Sequence, residues 1–305
     1  MLISIVLLLF IMAFSKSGVT ISNSRSLTDV LRFVLAILVV NGHIWLFYMP
    51  ESWWQGQFML GTECVSVFLF LSAYGLINAY GTKGDDYLHG FILHRVGRVL
   101  FPLMTTYAVS LPIYAFFMGP IDWSGVWDTL YWGGPYLRFS WYVTEIVVLY
   151  LLFYICAKVD VYCHKRGDLL IVLLSGAVLI LTTGLFMSRQ PVWYINGLPC
   201  FILGLWYQRY EAKLIRFLHG WFGKGVAILV IVLFVFFFHW SDVTSYMGVM
   251  TRYLYEYASL YFVNILFVLT IAYLIGHSLS CENTPPPPPH TNTSKVLYLR
   301  PTRYI

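Results

Sequence analysis

The run LRFVLAILVVNGH, residues 31–43, sets a guanidinium (Arg32) and an imidazole (His43) eleven residues apart in an otherwise apolar segment. At about 100° per residue that spacing is three turns plus roughly 20°, so both side chains project from one helix face, about 16 Å apart along the axis. An imidazole exchanges protons near neutral pH, which makes His43 a candidate general base for a hydroxyl. Asp29, three residues before Arg32, falls on the same face and can pair with it. A plain packing role competes with this reading: Arg32 snorkels to a surface with Asp29, and His43 bonds to a neighbouring helix. Glu145 lies near the start of another apolar run, SWYVTEIVVLY, at a depth that His43 can share. A carboxylate beside an imidazole holds its tautomer and raises its basicity, and Trp141 and Tyr142 would bound a pocket at that level. In HRVGRVLFP, Arg95 and Arg98 stand at i, i+3 on one face before Pro102. Two guanidinium forks suit the phosphates of an anionic cofactor, and they equally suit lipid headgroups.

The elements that must position these groups are membrane helices. Of the 305 residues, 59% are hydrophobic and 11% charged, against roughly 25% charged in a soluble domain. Ionisable groups in such surroundings cost on the order of 2.5–3.5 kcal/mol at a helix centre, which singles out Asp29, Arg32, His43, Glu63 and Glu145. Windows long enough to cross roughly 30 Å of hydrocarbon stand near residues 27–49, 61–80, 99–118, 141–159, 168–187, 192–208, 222–239 and 257–277. The expected fold class is an all-α polytopic membrane protein, a bundle of about eight transmembrane helices, or nine if residues 1–14 also cross. Unbroken aromatic runs argue against the alternating strands of a membrane barrel. Lys and Arg counts in successive flanks and loops run 2, 0, 3, 1, 3, 1, 4, 1, 3. The positive-inside rule converts that alternation into a topology with the basic loops and the C-terminal tail cytoplasmic, in an inner or plasma membrane. Arg32 is the cation left within the bilayer. Cations confined to short loops orient helices, so the bilayer is the expected partner and nucleic acid is not.

Three segments follow: a short apolar lead (1–24), a transmembrane domain (25–279) and a Pro-rich tail without packed structure (280–305). MLISIVLLLFIMAF is short for a span and lacks the basic start and cleavage pattern of a signal peptide. It reads as an extra interfacial helix, or as a start assigned early with Met12 the true beginning. Five consecutive prolines, Pro285–Pro289, give the tail extended character. The longer outer loops, 119–140 and 240–256, are aromatic. Trp123, Trp127, Tyr131 and Trp132 suit a helix lying in the interface, with a sugar-stacking surface as the alternative. Cys64, Cys156, Cys163, Cys200 and Cys281 show neither CxxC nor metal-ligand spacing, so neither a metal nor a disulfide framework is expected.

The stretches LTDVLRFVLAILVVNGH, VFLFLSAYGLI, RVGRVLFP and SWYVTEIVVLY, in that order, give the chain its resemblance to the membrane-bound acyltransferase family 3, whose members O-acylate cell-surface polysaccharides, lipids and glycans. The resemblance covers roughly residues 25–275, with Arg32 and His43 matching the leading signature, Arg95 and Arg98 the RxxR, and Trp141 and Glu145 the W-x-x-x-E. It implies that His43 is the catalytic base or acyl-relay residue, assisted by Glu145, with Arg32 essential in the same pore. It also implies that Arg95 and Arg98 help hold acyl-CoA, expected to be acetyl-CoA, from the cytoplasm, and that Trp141, Tyr142 and Ser72 line the substrate pocket. The implied activity is O-acetyl transfer to a hydroxyl of an extracytoplasmic polysaccharide or glycolipid sugar. Two departures stand out. Ala73 occupies the position of the glycine in the family's FFxLSG. After YLIGHSLS the family continues through closing helices that carry a further histidine, about ten spans in all, whereas here CENTPPPPPH follows. A truncated, inactive homologue is therefore one alternative. A transporter or flippase path along Asp29, Arg32 and Glu145 is another, and a non-catalytic subunit acting through the tail a third.

Overall fold

The computed structural model describes residues 25–48, 61–132, 136–137, 140–163, 167–240 and 264–265. Every regular element among them is helical: α1 (Arg25–Tyr48), α2 (Gly61–Lys83), α3 (Gly97–Met118), α4 (Trp123–Trp132), α5 (Trp141–Tyr162), α6 (Asp168–Met187), α7 (Leu198–His219) and α8 (Trp221–Trp240). A 3-10 turn (Gly84–Leu88) and a π-helical turn (Ile92–Val96) link α2 to α3, and a second 3-10 turn (Val192–Tyr194) precedes α7. Four segments among the described residues are long and apolar enough to cross a membrane: Gly61–Leu88, Ile92–Met118, Trp141–Tyr162 and Asp168–Met187. The expected window at 257–277 lies outside the described residues except for Asn264 and Ile265, as do residues 1–24 and the Pro-rich tail.

α2 is apolar all round, the pattern of a helix that neighbours enclose. α7 packs on it most extensively and α1 lies against it as well. One core cluster joins α2, α5, α6 and α7 through Leu69, Leu149, Phe153, Leu174 and Phe201. A second joins α1, α2 and α7, where Leu31, Leu35 and Leu38 form the buried stripe of α1 and Phe70 meets Tyr207 edge-on at 5.3 Å. The crossing of α2 and α7 is tight enough to depend on one missing methyl group. A Cβ at Gly204 would run into the Phe70 carbonyl oxygen and lie 2.9 Å from the Cβ of Ala73. The alanine that departs from the family pattern thus faces a glycine on the partner helix, and the contact between the two helices is made of small residues.

The window read as a single span at 192–208 divides in the structure. Pro191 and Pro199 bracket a 3-10 turn, and α7 begins only at Leu198, with proline in its first turn where no N–H is required. The helix then runs beyond the apolar window to His219, carrying Arg209, Lys213 and Arg216. Hydropathy registers where lipid-compatible side chains end; the backbone hydrogen-bond ladder continues past that point.

The bundle has two distinct ends. One gathers His43, the starts of α2 and α5, and α4. The other gathers Lys83, Arg95, the start of α6 and the end of α7, and is called the basic end below. At the basic end the fully buried Asp160 accepts hydrogen bonds from the Tyr80 hydroxyl (3.0 Å), the Gly167 N–H (2.7 Å) and the Leu170 N–H (3.1 Å). One carboxylate therefore ties α2 and α5 together and satisfies orphan donors at the start of α6.

Candidate active site

α1 runs unbroken from Arg25 to Tyr48, so the i, i+11 geometry of Arg32 and His43 holds and both border its buried stripe. Arg32 is half-exposed and pairs with Asp29 at 3.5 Å, as the spacing leads one to expect. Its guanidinium also lies within electrostatic reach of Tyr142, whose phenol shares a hydrogen bond with Ser72 and has Glu145 and Tyr150 as further neighbours. The structure thus draws Arg32 (α1), Ser72 (α2), Tyr142 and Glu145 (α5) into one group, centred on Tyr142. His43 is half-buried farther along α1, and its expected pairing with Glu145 is not seen among the described residues.

Glu145 is the most unusual member of the group. It is buried, and among the described residues neither carboxylate oxygen has a hydrogen-bond partner. One turn before it on α5, Trp141 meets the ring of Tyr194 at 5.2 Å. Tyr194 comes from the 3-10 turn ahead of α7 and lies within electrostatic range of Glu145. The carboxyl is framed by Trp141, Tyr142 and Tyr194 in a water-poor aromatic setting, where an uncompensated polar group costs several kcal/mol. Such a group can accept from an incoming hydroxyl or hold a proton for transfer.

α4 is fastened to the mouth of this group. The Ser140 hydroxyl donates to the Thr129 carbonyl (2.9 Å) and the Thr144 hydroxyl to the Leu130 carbonyl (2.6 Å), so α4 rides on the first turn of α5. Asp122 caps α4 by accepting from the Ser124 N–H (3.0 Å), the Ser124 hydroxyl (2.8 Å) and the Gly125 N–H (3.3 Å). These bonds, with Ser124 first, hold the Asp122 carboxyl below its ordinary pKa. Trp123 and Trp127 on α4 are exposed, the disposition of rings at a membrane interface.

The two arginines at the basic end have different surroundings. Arg95 belongs to the π-helical turn; its Nε donates to the Tyr87 hydroxyl at 2.9 Å, and its guanidinium lies 5.8 Å from that ring's centre. Tyr87 packs in turn on Phe91 and Phe153. Arg95 is therefore half-buried and oriented, whereas Arg98 in the first turn of α3 is exposed. Single-turn π insertions of this kind recur at functional sites. A cavity of about 670 Å³ opens at the same end, lined by Tyr80, Lys83, Asp85, Asp86 and Asp160. Its acidic lining excludes neither arginine from binding phosphate nearby, but it is not itself a phosphate cradle. Sequence reasoning missed Asp160 and Glu211, whose carboxylate accepts from the Tyr74 hydroxyl at 2.7 Å. Asp160 lies near the end of α5, where the signal was an acidic residue facing a helix start, whereas Glu211 lies within α7 beyond the apolar window, among Arg209, Lys213 and Arg216. Among the described residues, no group of three His, Cys, Asp or Glu is arranged to hold a metal ion.

A family model described as an acyltransferase domain matches residues 28–285, a stretch that contains Arg32, His43, Ser72, Arg95, Arg98, Trp141 and Glu145. No curated protein and no solved structure matches significantly.

Proposed function

The chain belongs to acyltransferase family 3, and from that membership we propose that this multi-pass membrane acyltransferase moves an acetyl group from cytoplasmic acetyl-CoA to a sugar hydroxyl of an extracytoplasmic polysaccharide or glycolipid. The observation that supports the reading is that Tyr142, hydrogen-bonded with Ser72, lies within electrostatic range of both Arg32 and the buried carboxyl of Glu145. His43 acts as base or acyl relay on the same face of α1, and Arg32 stabilises negative charge developing on the acyl carbonyl oxygen. Glu145 accepts the acceptor's hydroxyl or the proton leaving it, and Trp141, Tyr142 and Ser72 shape the pocket. Arg95, pre-aligned by Tyr87, and the exposed guanidinium of Arg98 engage the donor's phosphates at the basic end, which we take as cytoplasmic because basic loops face inward. The thioester arm then extends into the bundle while the acceptor approaches beneath α4.

The test is O-acetylation of surface glycan in cells carrying His43→Ala or Arg32→Ala, with protein level measured in the membrane. Loss of acetylation at normal levels is expected; retained acetylation by the His43 variant sinks the mechanism. Substrate flux in proteoliposomes without acyl-CoA consumption would instead favour a transporter lined by Asp29, Arg32 and Glu145.

A further inference from the structure

We propose that the groove between α6 and α7 at the basic end binds the headgroup of one anionic glycerophospholipid. The cavity measures about 520 Å³ and lies between Asp168 and Val172 of α6 and the stripe Trp206, Arg209, Tyr210, Lys213 of α7. The i, i+3, i+4, i+7 spacing of that stripe puts all four side chains on one face. Trp206 and Tyr210 stack at 6.0 Å with planes 7° apart, and the Lys213 ammonium sits 5.3 Å from the centre of the Tyr210 ring. The platform is built in advance, because the Trp206 indole N–H donates to the Ser175 hydroxyl on α6 at 3.1 Å. Asp168 pairs with one nitrogen of Arg209, a residue that itself lines the groove and has five N–H donors, more than that one contact uses. Two cations against one carboxylate give the groove a net positive charge, complementary to a phosphodiester.

The apolar track that leaves the groove argues for a lipid over a soluble phosphate. Val172, Gly176 and Ile180 follow at i, i+4, i+8 on α6, with Leu179 beside them. Val172, Leu179 and Ile180 are exposed, and open space lies where a Gly176 side chain would be. An acyl chain fits down that track while aromatic rings hold the glycerol level and Arg209 and Lys213 hold the phosphate. A free phosphate or a nucleotide has no use for the track.

The test uses the delipidated full chain in detergent, with retained lipid counted by native mass spectrometry. Phosphatidylglycerol is expected to be kept in preference to phosphatidylcholine. Arg209→Gln with Lys213→Gln is expected to weaken retention on the order of thirtyfold, the combined effect of two surface cations. Gly176→Leu, which fills the track and leaves both charges in place, is expected to weaken it too, and serves if the charge variant fails to fold. Equal retention of the two lipids overturns the proposal, as does retention unaffected by both variants. Displacement of phosphatidylglycerol by coenzyme A or inorganic phosphate at equal concentration also overturns it, and would assign the groove to a soluble anion.

Discussion

Replacing Glu145 by leucine separates a catalytic carboxyl from a structural one. The side chain is buried and both oxygens lack a hydrogen-bond partner among the described residues, so folding costs it the hydration it had in water with no internal hydrogen bond there to offset the loss. An unsatisfied buried polar group costs about 1–3 kcal/mol, and exchanging it for an apolar group of similar volume recovers that cost. Glu145→Leu should therefore stabilise the fold by about 1–3 kcal/mol, or roughly 2–4 °C of unfolding temperature per kcal/mol. Cys64, Cys156 and Cys200 are buried free thiols and supply the assay: a thiol-reactive dye reports their exposure as the detergent-solubilised protein is heated. Acyl transfer should fall about 10²–10⁴-fold in the same variant, the usual contribution of a positioned acid or base. Stability gained where activity is lost is the signature of a site held under strain for function. A Glu145→Leu protein that unfolds several degrees earlier than the parent would refute the reasoning, because it would show that the carboxyl has partners on which the fold depends.

Asp160→Ala should destabilise the protein by about 3–5 kcal/mol, since it removes a buried carboxylate and strands two backbone donors and a hydroxyl, while Tyr80→Phe should cost about 1 kcal/mol; the same thermal assay reads both. Gly204→Val should abolish accumulation in the membrane because its side chain meets the Phe70 backbone, and Gly204→Ala should lower the protein level whether or not Ala73→Gly accompanies it, since removing the Ala73 methyl leaves the Phe70 carbonyl in place. The cap on α4 has a worked pH dependence: the Asp122 carboxyl is held below its ordinary pKa in the folded state, so its stabilisation is fully present above the unfolded value and disappears as pH falls through the lower, folded one. Proteolytic nicking of the 119–140 loop should accordingly rise only in acid, and Asp122→Ala should be nicked at every pH.

The sequence was most legible where a single helix carries the geometry. Arg32 and His43 could be placed on one face because α1 is continuous, and the Asp29 pairing followed from the same period. Relations between helices were harder. That Tyr142 bonds with Ser72 and lies within electrostatic range of Arg32 depends on how α1, α2 and α5 pack, which hydropathy does not encode. Arg95 and Arg98 looked equivalent at i, i+3, yet a π-helical turn and Tyr87 give one a fixed setting and leave the other exposed. Asp160 was overlooked because its importance comes from the start of the following helix, whose N–H groups need an acceptor whatever their side chains are. The split at 192–208 was written in Pro191 and Pro199, and an apolar average conceals prolines.

At the crossing of α2 and α7, what admits the neighbouring backbone is a side chain that α7 does not have. The Cβ that Gly204 lacks would meet the Phe70 carbonyl oxygen, which is main chain and present whatever residue stands at 70. Ala73 lies beside that contact, and its methyl group is accommodated. The demand for glycine therefore falls on α7, outside the strip of α2 that carries the small-residue signature. A comparison confined to that strip weighs Ala73 and passes over the position that the packing constrains most directly.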